Sequence, residues 1–266
     1  MYRALWRAPE DLYLTSLTDF SRALLCLGYV DQARLRRNEA LVEARQFLPY
    51  VLAFEVCHAW FGDWAIGVKS AETTLRSAEE VLAVADEQGF SDLLAWGTMM
   101  RGWCLGAMGQ PAEAIPLMLQ GLGNSRATGA GLCIPFYLMT LAEVYGMAAQ
   151  ADEGLKRLAE AANIVEVTQE RWAEAEMHRL RGTLLLSMHE RAAAEDSFRL
   201  ALTVAQQQSA KYWELRAAMS LARLWRDQGK VQQARELLAP VYGWFTEGFD
   251  TRDLQEAKAL LDALTA

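Results

Sequence analysis

The amino-acid sequence predicts an all-α protein, a right-handed superhelical solenoid of about six helix pairs over residues 1–266 that ends in a C-terminal capping helix. The main observation is an internal repeat of forty residues, a period typical of solenoids, in which each unit packs only on its neighbours. Glycine and proline are sparse within the apolar-periodic segments and β-branched alternation is almost absent, which indicates helices throughout. The repeat is visible at four positions of each unit: Gly102, Ala114, Met118 and Gly121; Ala142, Gly154, Leu158 and Ala161; Gly182, Ala194, Phe198 and Ala201; Ala222, Ala234, Leu238 and Val241.

The first two predicted units are less regular and cover 12–45 and 48–89. Their helices are 12–27 with 31–45, joined by a turn at Gly28, and 48–61 with 73–88, separated by a loop after Gly62. Gly89 follows as a left-handed helix terminator. The pairing of a glycine turn with small facing residues such as Ala33 and Ala40 is typical of two helices in close contact.

Four regular units start near residues 95, 135, 175 and 215. Their first helices are predicted at 94–108, 135–148, 175–188 and 215–228, and their second helices at 112–127, 152–167, 192–207 and 231–245. Gly109 and Gly229 occupy the turn within a unit, and Ala149 and His189 stand in the same place in the other two. We therefore expect His189 to be an exposed turn residue.

The last predicted helix, 251–264, has one apolar stripe and a polar outer face, which is what the end of a solenoid needs to remain soluble. The stripe consists of Leu254, Ala257, Leu260, Leu261 and Leu264. No comparable cap is evident at the N-terminus, so we expect the array to continue upstream in the natural protein.

The composition of the 266 residues, 52% hydrophobic and 23% charged, suits a large core and is too apolar for disorder. A net charge of −8 argues against a nucleic-acid partner. The isolated cysteines, without metal-ligand spacing, predict free thiols in a cytoplasmic protein without metal or other cofactor. They are Cys26, Cys57, Cys104 and Cys133.

Neither a signal peptide nor a membrane span is predicted. Residues 1–14 carry two acidic side chains and no continuous apolar run. The most apolar stretch, 47–68, contains Glu55, His58 and Asp63, and an Asp at the centre of a bilayer helix costs about 2.5 to 3.5 kcal/mol. We interpret this stretch as a fully buried solenoid helix.

The pattern of small residues followed by Ala-x3-Phe resembles the tetratricopeptide repeat (TPR), and Gly182, Ala194 and Phe198 match it best. Tyr145 and Trp225 take its aromatic position. The forty-residue unit is longer than the usual one of about 34 residues, and the closing proline is missing.

Four segments resemble the C-terminal TPR region of bacterial signalling ATPases, many of which carry a class III adenylate or guanylate cyclase domain at the amino end. The likeness covers nearly the whole chain and is strongest after Trp172. It implies a non-enzymatic regulatory repeat module, a fragment or stand-alone relative, whose partner is a protein, a peptide or the upstream catalytic domains of the parent protein. The segments are LAWGTMMRGWCLGAMGQ, AEAEMHRLRGTLLL, KYWELRAAMSLARLWRDQGK and LLAPVYGWFTEGFDTRDLQEAKALLDAL.

No segment of the sequence meets the chemical requirements of a catalytic motif. Residues 62–70, GDWAIGVKS, place Val68 between the glycine and the lysine of a phosphate-binding loop, and no strand precedes them. His58, His178 and His189 are too scattered for a metal site, and no nucleophile signature accompanies them. We expect His178 to be packed or half-buried.

The predicted functional surface is a groove lined by the first helices, aromatic and Met-rich in the middle and cationic toward the C-terminus. As a groove for a partner peptide or helix, it would hold apolar anchors in the middle and acidic side chains beyond. Alternatively, the aromatic side chains pack between repeats and the arginines pair with Glu174, Glu176 and Glu214, or the groove holds a small apolar effector or a signalling peptide. The candidate residues are Trp96, Met99, Trp103, Phe136, Met139, Met147, Arg179, Arg216, Arg223 and Arg226.

Overall fold

The computed structural model describes residues 12–66, 71–129 and 131–265, and within them every regular element is an α-helix. Consecutive helices form six pairs and α13 follows alone, so the prediction of an all-α solenoid of about six pairs with a terminal helix is confirmed. The helices are α1 (Leu12–Leu27), α2 (Val30–Ala44), α3 (Pro49–Ile66), α4 (Ala71–Gln88), α5 (Ser91–Ala107), α6 (Pro111–Ala127), α7 (Ile134–Met147), α8 (Ala151–Thr168), α9 (Glu174–Ser187), α10 (Arg191–Gln207), α11 (Lys211–Asp227), α12 (Val231–Tyr242) and α13 (Arg252–Ala263).

The small residues of the repeat lie where the two helices of a pair approach most closely. A Cβ atom on Gly102 of α5 would lie 2.5 Å from Met118 Cγ on α6, and one on Gly182 of α9 would lie 2.5 Å from Phe198 Cε1 on α10. Real Cβ atoms do not come so close, and well-packed interiors resist even one added methyl group. The pattern of glycine opposite a large apolar residue therefore sets the distance between the paired helices.

The turns repeat as regularly as the helices. The turn within a unit has a left-handed residue at Gly109, Ala149, His189 and Gly229, with φ of 84°, 58°, 65° and 79°. The turn between units has another at Gly89, Gly129, Gln169 and Ser209, with φ of 73°, 77°, 60° and 55°. Glycine adopts this conformation freely, whereas other residues lose about 1 to 2 kcal/mol in it. His189 is exposed at such a turn, as expected.

The two largest differences from the predicted helix boundaries have the same reason. Helix α3 continues through Gly62 to Ile66, so no loop follows Gly62, and α11 begins at Lys211 rather than at residue 215. In both cases the added turn buries aromatic side chains, Trp64 in α3 and Trp213 in α11. Residues 1–11 and 67–70 lie outside the described residues. Residues 67–70 are the last part of the segment 62–70 that resembles a phosphate-binding loop.

The first helices of the later pairs, α5, α7, α9 and α11, contact one another in order and form the inner face of the solenoid. Helix α3 lies against this face and is buried nearly all round, including Glu55 at 0% exposure. Its ring contacts reach three of the inner helices: Phe54 with Trp96 at 5.6 Å, Phe61 with Phe136 at 4.6 Å, and Trp64 with Trp213 at 6.4 Å between centroids. The chain thus fills much of its own inner face with one of its own helices.

The first helices that the structure describes contact the last ones. Helix α1 packs on α11, and the Glu247 carboxylate accepts hydrogen bonds from the backbone N–H groups of Asp31 (3.0 Å) and Gln32 (3.2 Å) at the start of α2. The Gly248 N–H donates to Asp31 Oδ2 at 3.0 Å, and Arg34 pairs with Asp250 at 2.7 Å. The loop between α12 and α13 therefore caps α2 and joins the first described helix pair to the last one.

Candidate functional site

The part of the inner face that α3 leaves uncovered is a cavity of about 710 Å³, which we call the inner cavity. Trp64 and Ala65 at the end of α3 form one wall, and α5, α7, α9, α11 and α13 form the others. The residues that matter for its chemistry are Trp64, Ala65, Trp103, Glu143, Met147, Arg179, Thr183, Arg216, Ser220, Arg223, Arg252, Asp253 and Glu256.

Two of the arginines that line the inner cavity are held by the buried carboxylate of Glu176 on α9, whose side chain is 0% exposed. Arg179 holds it from one turn along the same helix with two bonds of 2.7 and 2.8 Å. Arg216 on α11 holds it from the neighbouring repeat with bonds of 2.9 and 3.2 Å. One buried carboxylate therefore ties two consecutive repeats together through charge-assisted hydrogen bonds.

Arg216 joins Glu176 to two further elements. Its Nη1 donates to the Ala65 carbonyl at the end of α3 (2.7 Å) and to Asp253 Oδ2 on α13 (2.9 Å). Burial by itself lowers the pKa of Arg216, and the carboxylates of Asp253 and Glu176 outweigh it, so the net shift is upward. Arg216 is therefore a permanently charged link among α3, α9, α11 and α13.

A second ion-pair cluster that lines the cavity is more exposed to solvent. Glu256 on α13 accepts hydrogen bonds from Arg223 (2.7 Å) and Arg252 (2.8 Å). Burial opposes ionisation of Glu256, but the two guanidinium groups prevail and lower its pKa. All four arginines that line the cavity thus have carboxylate partners within the same chain.

The carboxylate of Glu143 on α7 has a different environment. Its Oε2 accepts hydrogen bonds from two indoles, Trp64 Nε1 at 2.9 Å and Trp103 Nε1 at 2.8 Å. Both donors are neutral. Met147, one turn further along α7, is 45% exposed beside it.

The predicted groove residues separate into three groups. Trp96, Met99, Phe136 and Met139 are at most 7% exposed and lie in the core, with Trp96 and Phe136 against α3. Arg226 is exposed and pairs with the adjacent Asp227 at 2.9 Å, outside the cavity. The structure brings the others together around the inner cavity: Trp103, Met147, Arg179, Arg216 and Arg223.

The arginine partners differ in part from those anticipated. Glu176 pairs with Arg179 and Arg216 as one alternative expected, whereas Glu174 pairs with Arg171 and Glu214 with Lys211. Sequence reasoning missed the acidic contribution of α13, which was interpreted only as a polar outer face. A signal was available: Asp253 and Glu256 lie one turn apart on the helix that follows the arginine-bearing α11.

The histidines and cysteines of the described residues are mostly buried. Within the described ranges no group of three His, Cys, Asp or Glu side chains is placed to hold a metal ion. Burial lowers the pKa of His58 to about 3 and also lowers that of the half-buried His178. Burial raises the pKa of Cys26 to about 11 and that of Cys104 to about 12, and all four thiols are free.

No protein-family model and no curated protein matches the chain. Among solved structures it is similar to the apo form of RapI, with 15% identity over 94% of this chain and 84% of that one, at a TM-score of 0.56. A Rap protein complexed with competence and sporulation factor shares 11% identity over 96% and 88% of the two chains, at a TM-score of 0.57.

A third similar structure is a signal transduction ATPase with numerous domains from Pyrococcus horikoshii, which has a tetratricopeptide repeat sensor. It shares 11% identity over 94% of this chain and 38% of that chain, at a TM-score of 0.58. These likenesses concern the fold, which is a TPR-like all-α solenoid. No helix in the described ranges is long and apolar enough to cross a membrane.

Proposed function

We propose that the chain is a non-enzymatic interaction module that binds a peptide, or an extended segment of a partner protein, in the inner cavity. The observation that carries the proposal is the division of the inner face: α3 fills most of it, and one charged, aromatic cavity stays accessible. Its volume of about 710 Å³ falls within the usual range of ligand sites, about 300 to 1,000 Å³. The similarity to a Rap protein in complex with competence and sporulation factor supports this use of the fold.

The structure divides the predicted groove residues between stability and binding. Trp96, Met99, Phe136 and Met139 contribute to stability, since their side chains have no surface to offer a partner. Trp103 and Met147 remain as apolar contacts in the cavity. Arg223, at 40% exposure, acts on association rate and salt dependence, because exposed ion pairs are worth only about 0 to 1 kcal/mol.

The proposal extends to the parent protein. We place the chain in the cytoplasm, as a regulatory repeat region of a signalling ATPase or cyclase-linked protein, with the upstream catalytic domains as one candidate partner. The resemblance of its sequence segments supports this, as does the likeness to a signal transduction ATPase with a TPR sensor. Reading the coding sequence upstream of Met1 tests it: an ATPase or cyclase domain there is expected, and an unrelated gene would refute this part.

A small apolar effector has less support than a peptide. The Trp- and Met-rich middle of the predicted groove, the part suited to such a molecule, is occupied by α3. The cavity that remains carries four arginines and three carboxylates. An apolar ligand would remove Arg223 and Arg252, which are 40% and 74% exposed, from water without offering them a polar partner.

Selection from a displayed library of random peptides tests the proposed function. Thr183, an exposed residue of the cavity wall, is replaced by Trp to fill the space, and exposed Gln232 on α12 is replaced by Trp as the control. We expect enriched peptides to lose affinity on the order of tenfold or more with Thr183→Trp and to keep it with Gln232→Trp. Failure to enrich any peptide, or equal binding to both variants, would refute the proposal.

A further inference from the structure

The loop between α12 and α13 is fixed on α2 by packing as well as by hydrogen bonds. Gly248 has a left-handed φ of 76°, and a Cβ atom there would lie 2.7 Å from Val30 Cβ. Val30 is 0% exposed, and the Gly248 N–H donates to Asp31 Oδ2 at 3.0 Å. Glycine is the residue that tolerates both this backbone conformation and so close an approach. The position of the loop is therefore defined by its contact with the start of α2.

The same loop is tied to the start of α13. The hydroxyl group and the backbone N–H of Thr251 both donate to the Gly248 carbonyl, at 2.7 and 2.9 Å. Thr251 is 2% exposed and directly precedes α13. Because a buried donor that loses its partner costs free energy, we expect this turn to move together with α13.

The first turns of α13 form a wall of the inner cavity through Arg252, Asp253 and Glu256. Asp253 Oδ2 accepts hydrogen bonds from the Tyr212 hydroxyl group and from Arg216 Nη1 of α11, both at 2.9 Å. A shift of α13 would move this wall and break these two bonds. The shape of the cavity on this side therefore depends on the position of α13.

Helix α13 is bound less extensively than the helices of the repeats. It has no paired helix among the described residues, and it buries one face only. Leu254 and Ala257 on that face are at most 1% exposed, whereas Lys258 and Asp262 are exposed. Elements with few buried contacts open at a lower free energy than the whole protein. Helix α13 is therefore a part of the cavity wall that can be displaced without unfolding of the repeats.

We propose that the α12–α13 loop and α13 couple the contact with α2 to ligand binding in the inner cavity. A bound segment holds α13 in place, and release of the loop from α2 weakens binding. The inference rests on the proposed peptide-binding function of the same cavity. A segment that contacts α13 and the opposite walls binds best when α13 is in place, and such coupling acts equally in both directions. The start of α2 is thereby a regulatory surface, since a molecule that displaces the loop there would release the bound segment.

The first experiment needs no ligand and compares Gly248→Ala with Gly229→Ala. Both glycines have a similar φ, 76° and 79°, but a Cβ atom on Gly229 would meet no atom within 4 Å. The measurement is hydrogen exchange of the Gln255 amide, which donates to the Thr251 carbonyl at 3.0 Å in the first turn of α13. We expect exchange on the order of tenfold faster in Gly248→Ala than in Gly229→Ala. Equal rates in the two variants would overturn the inference.

Glu247→Ala is a milder variant that keeps this test decisive if Gly248→Ala does not fold. It removes the hydrogen bonds that the Glu247 carboxylate accepts from the Asp31 and Gln32 amides and leaves the backbone of the loop unchanged. We expect exchange of the Gln255 amide to be about threefold faster than in the wild type. An unchanged rate would count against the coupling in the same way.

The second experiment measures binding of a library peptide whose affinity falls with Thr183→Trp. Its affinity should be lower on the order of threefold to tenfold for Gly248→Ala than for Gly229→Ala, because fewer molecules have α13 in place. With the wild type and peptide at about 100 times Kd, exchange of the Gln255 amide should slow by up to about 100-fold. The Thr128 amide, just after α6, should keep its rate. No slowing of Gln255, or equal slowing of Thr128, would overturn the coupling.

The outcomes also separate this inference from the proposed function. A peptide that requires an unfilled cavity but binds Gly248→Ala as tightly as Gly229→Ala would leave the proposed function standing and remove the coupling. Failure to enrich any peptide would refute the proposed function, and the coupling would fall with it even if Gly248→Ala loosens α13.

Discussion

Replacing Glu176 with Ala should destabilise the protein severely, because it leaves two guanidinium groups beside an empty site. The carboxylate is 0% exposed, and the side chains of Arg179 and Arg216 are only 14% and 16% exposed. Breaking a buried ion pair by removing one partner costs about 3 to 5 kcal/mol. Arg216 keeps Asp253 and the Ala65 carbonyl, so the lower end, about 3 kcal/mol, is the appropriate estimate.

Thermal melting followed by circular dichroism measures this effect. A loss of 1 kcal/mol lowers Tm by roughly 2 to 4 °C in a chain of this size class, so we expect a fall of about 6 to 12 °C. Asp262→Ala is the control, since it removes an exposed partner of Lys258 at 2.8 Å and should leave Tm unchanged. If Glu176→Ala melts with the wild type, Glu176 does not join the repeats as described.

Three further predictions concern the repeat, the closure and the core. Gly182→Ala should destabilise the protein by about 1 to 3 kcal/mol because the added Cβ meets Phe198. Gly123→Ala, whose Cβ would have no neighbouring atom within 4 Å, should stabilise the protein by about 0.5 to 1 kcal/mol. Urea unfolding that gives both variants a change of the same sign would contradict the packing account. Glu247→Ala should speed hydrogen exchange at the Asp31 and Gln32 amides, with a loss of about 0.5 to 2 kcal/mol, while Glu39→Ala should leave those two amides protected. His58 takes up a proton near pH 6.5 when the chain is unfolded but stays neutral down to about pH 3 when it is folded. Between these values, each unit by which the pH falls therefore lowers the free energy of unfolding by about 1.4 kcal/mol. Urea unfolding at pH 7 and pH 5 should show this loss shrinking in His58→Phe and persisting in His189→Asn, and an equal loss in all three proteins would refute it.

The forty-residue pattern predicted the fold because a solenoid is held together by contacts between adjacent helices. Gly102 faces Met118 and Gly182 faces Phe198, large apolar side chains at the same position of two repeats, so the positions of these residues in the sequence carry this information directly. The left-handed conformations at Gln169 and Ser209 were not predicted, since neither residue type indicates it. The position of these residues in the repeated turn requires the left-handed backbone conformation, and their side chains do not favour it.

The site was harder to predict because it depends on contacts between residues far apart in the chain. Trp96 and Phe136 occupy positions that face inward in the solenoid, and the sequence correctly places them on the first helices. What covers them is α3, from an earlier pair, through contacts such as the ring pair of Phe61 and Phe136. The repeat pattern describes neighbours only, so it carries no information about a helix that crosses several units.

The central claim is that α3 fills much of the inner face of the solenoid and that, among the described residues, the inner cavity stays open beside it. Native thiols test it without any substitution, since Cys57 lies on α3 while Cys104 and Cys133 lie on the repeats, all at most 3% exposed. Alkylation of the folded protein, followed residue by residue by mass spectrometry, compares their rates. We predict that Cys57 is labelled as slowly as Cys104 and Cys133, at the rate of global unfolding. Labelling of Cys57 well before the other two would mean that α3 leaves the inner face in the native state, and the claim would be wrong.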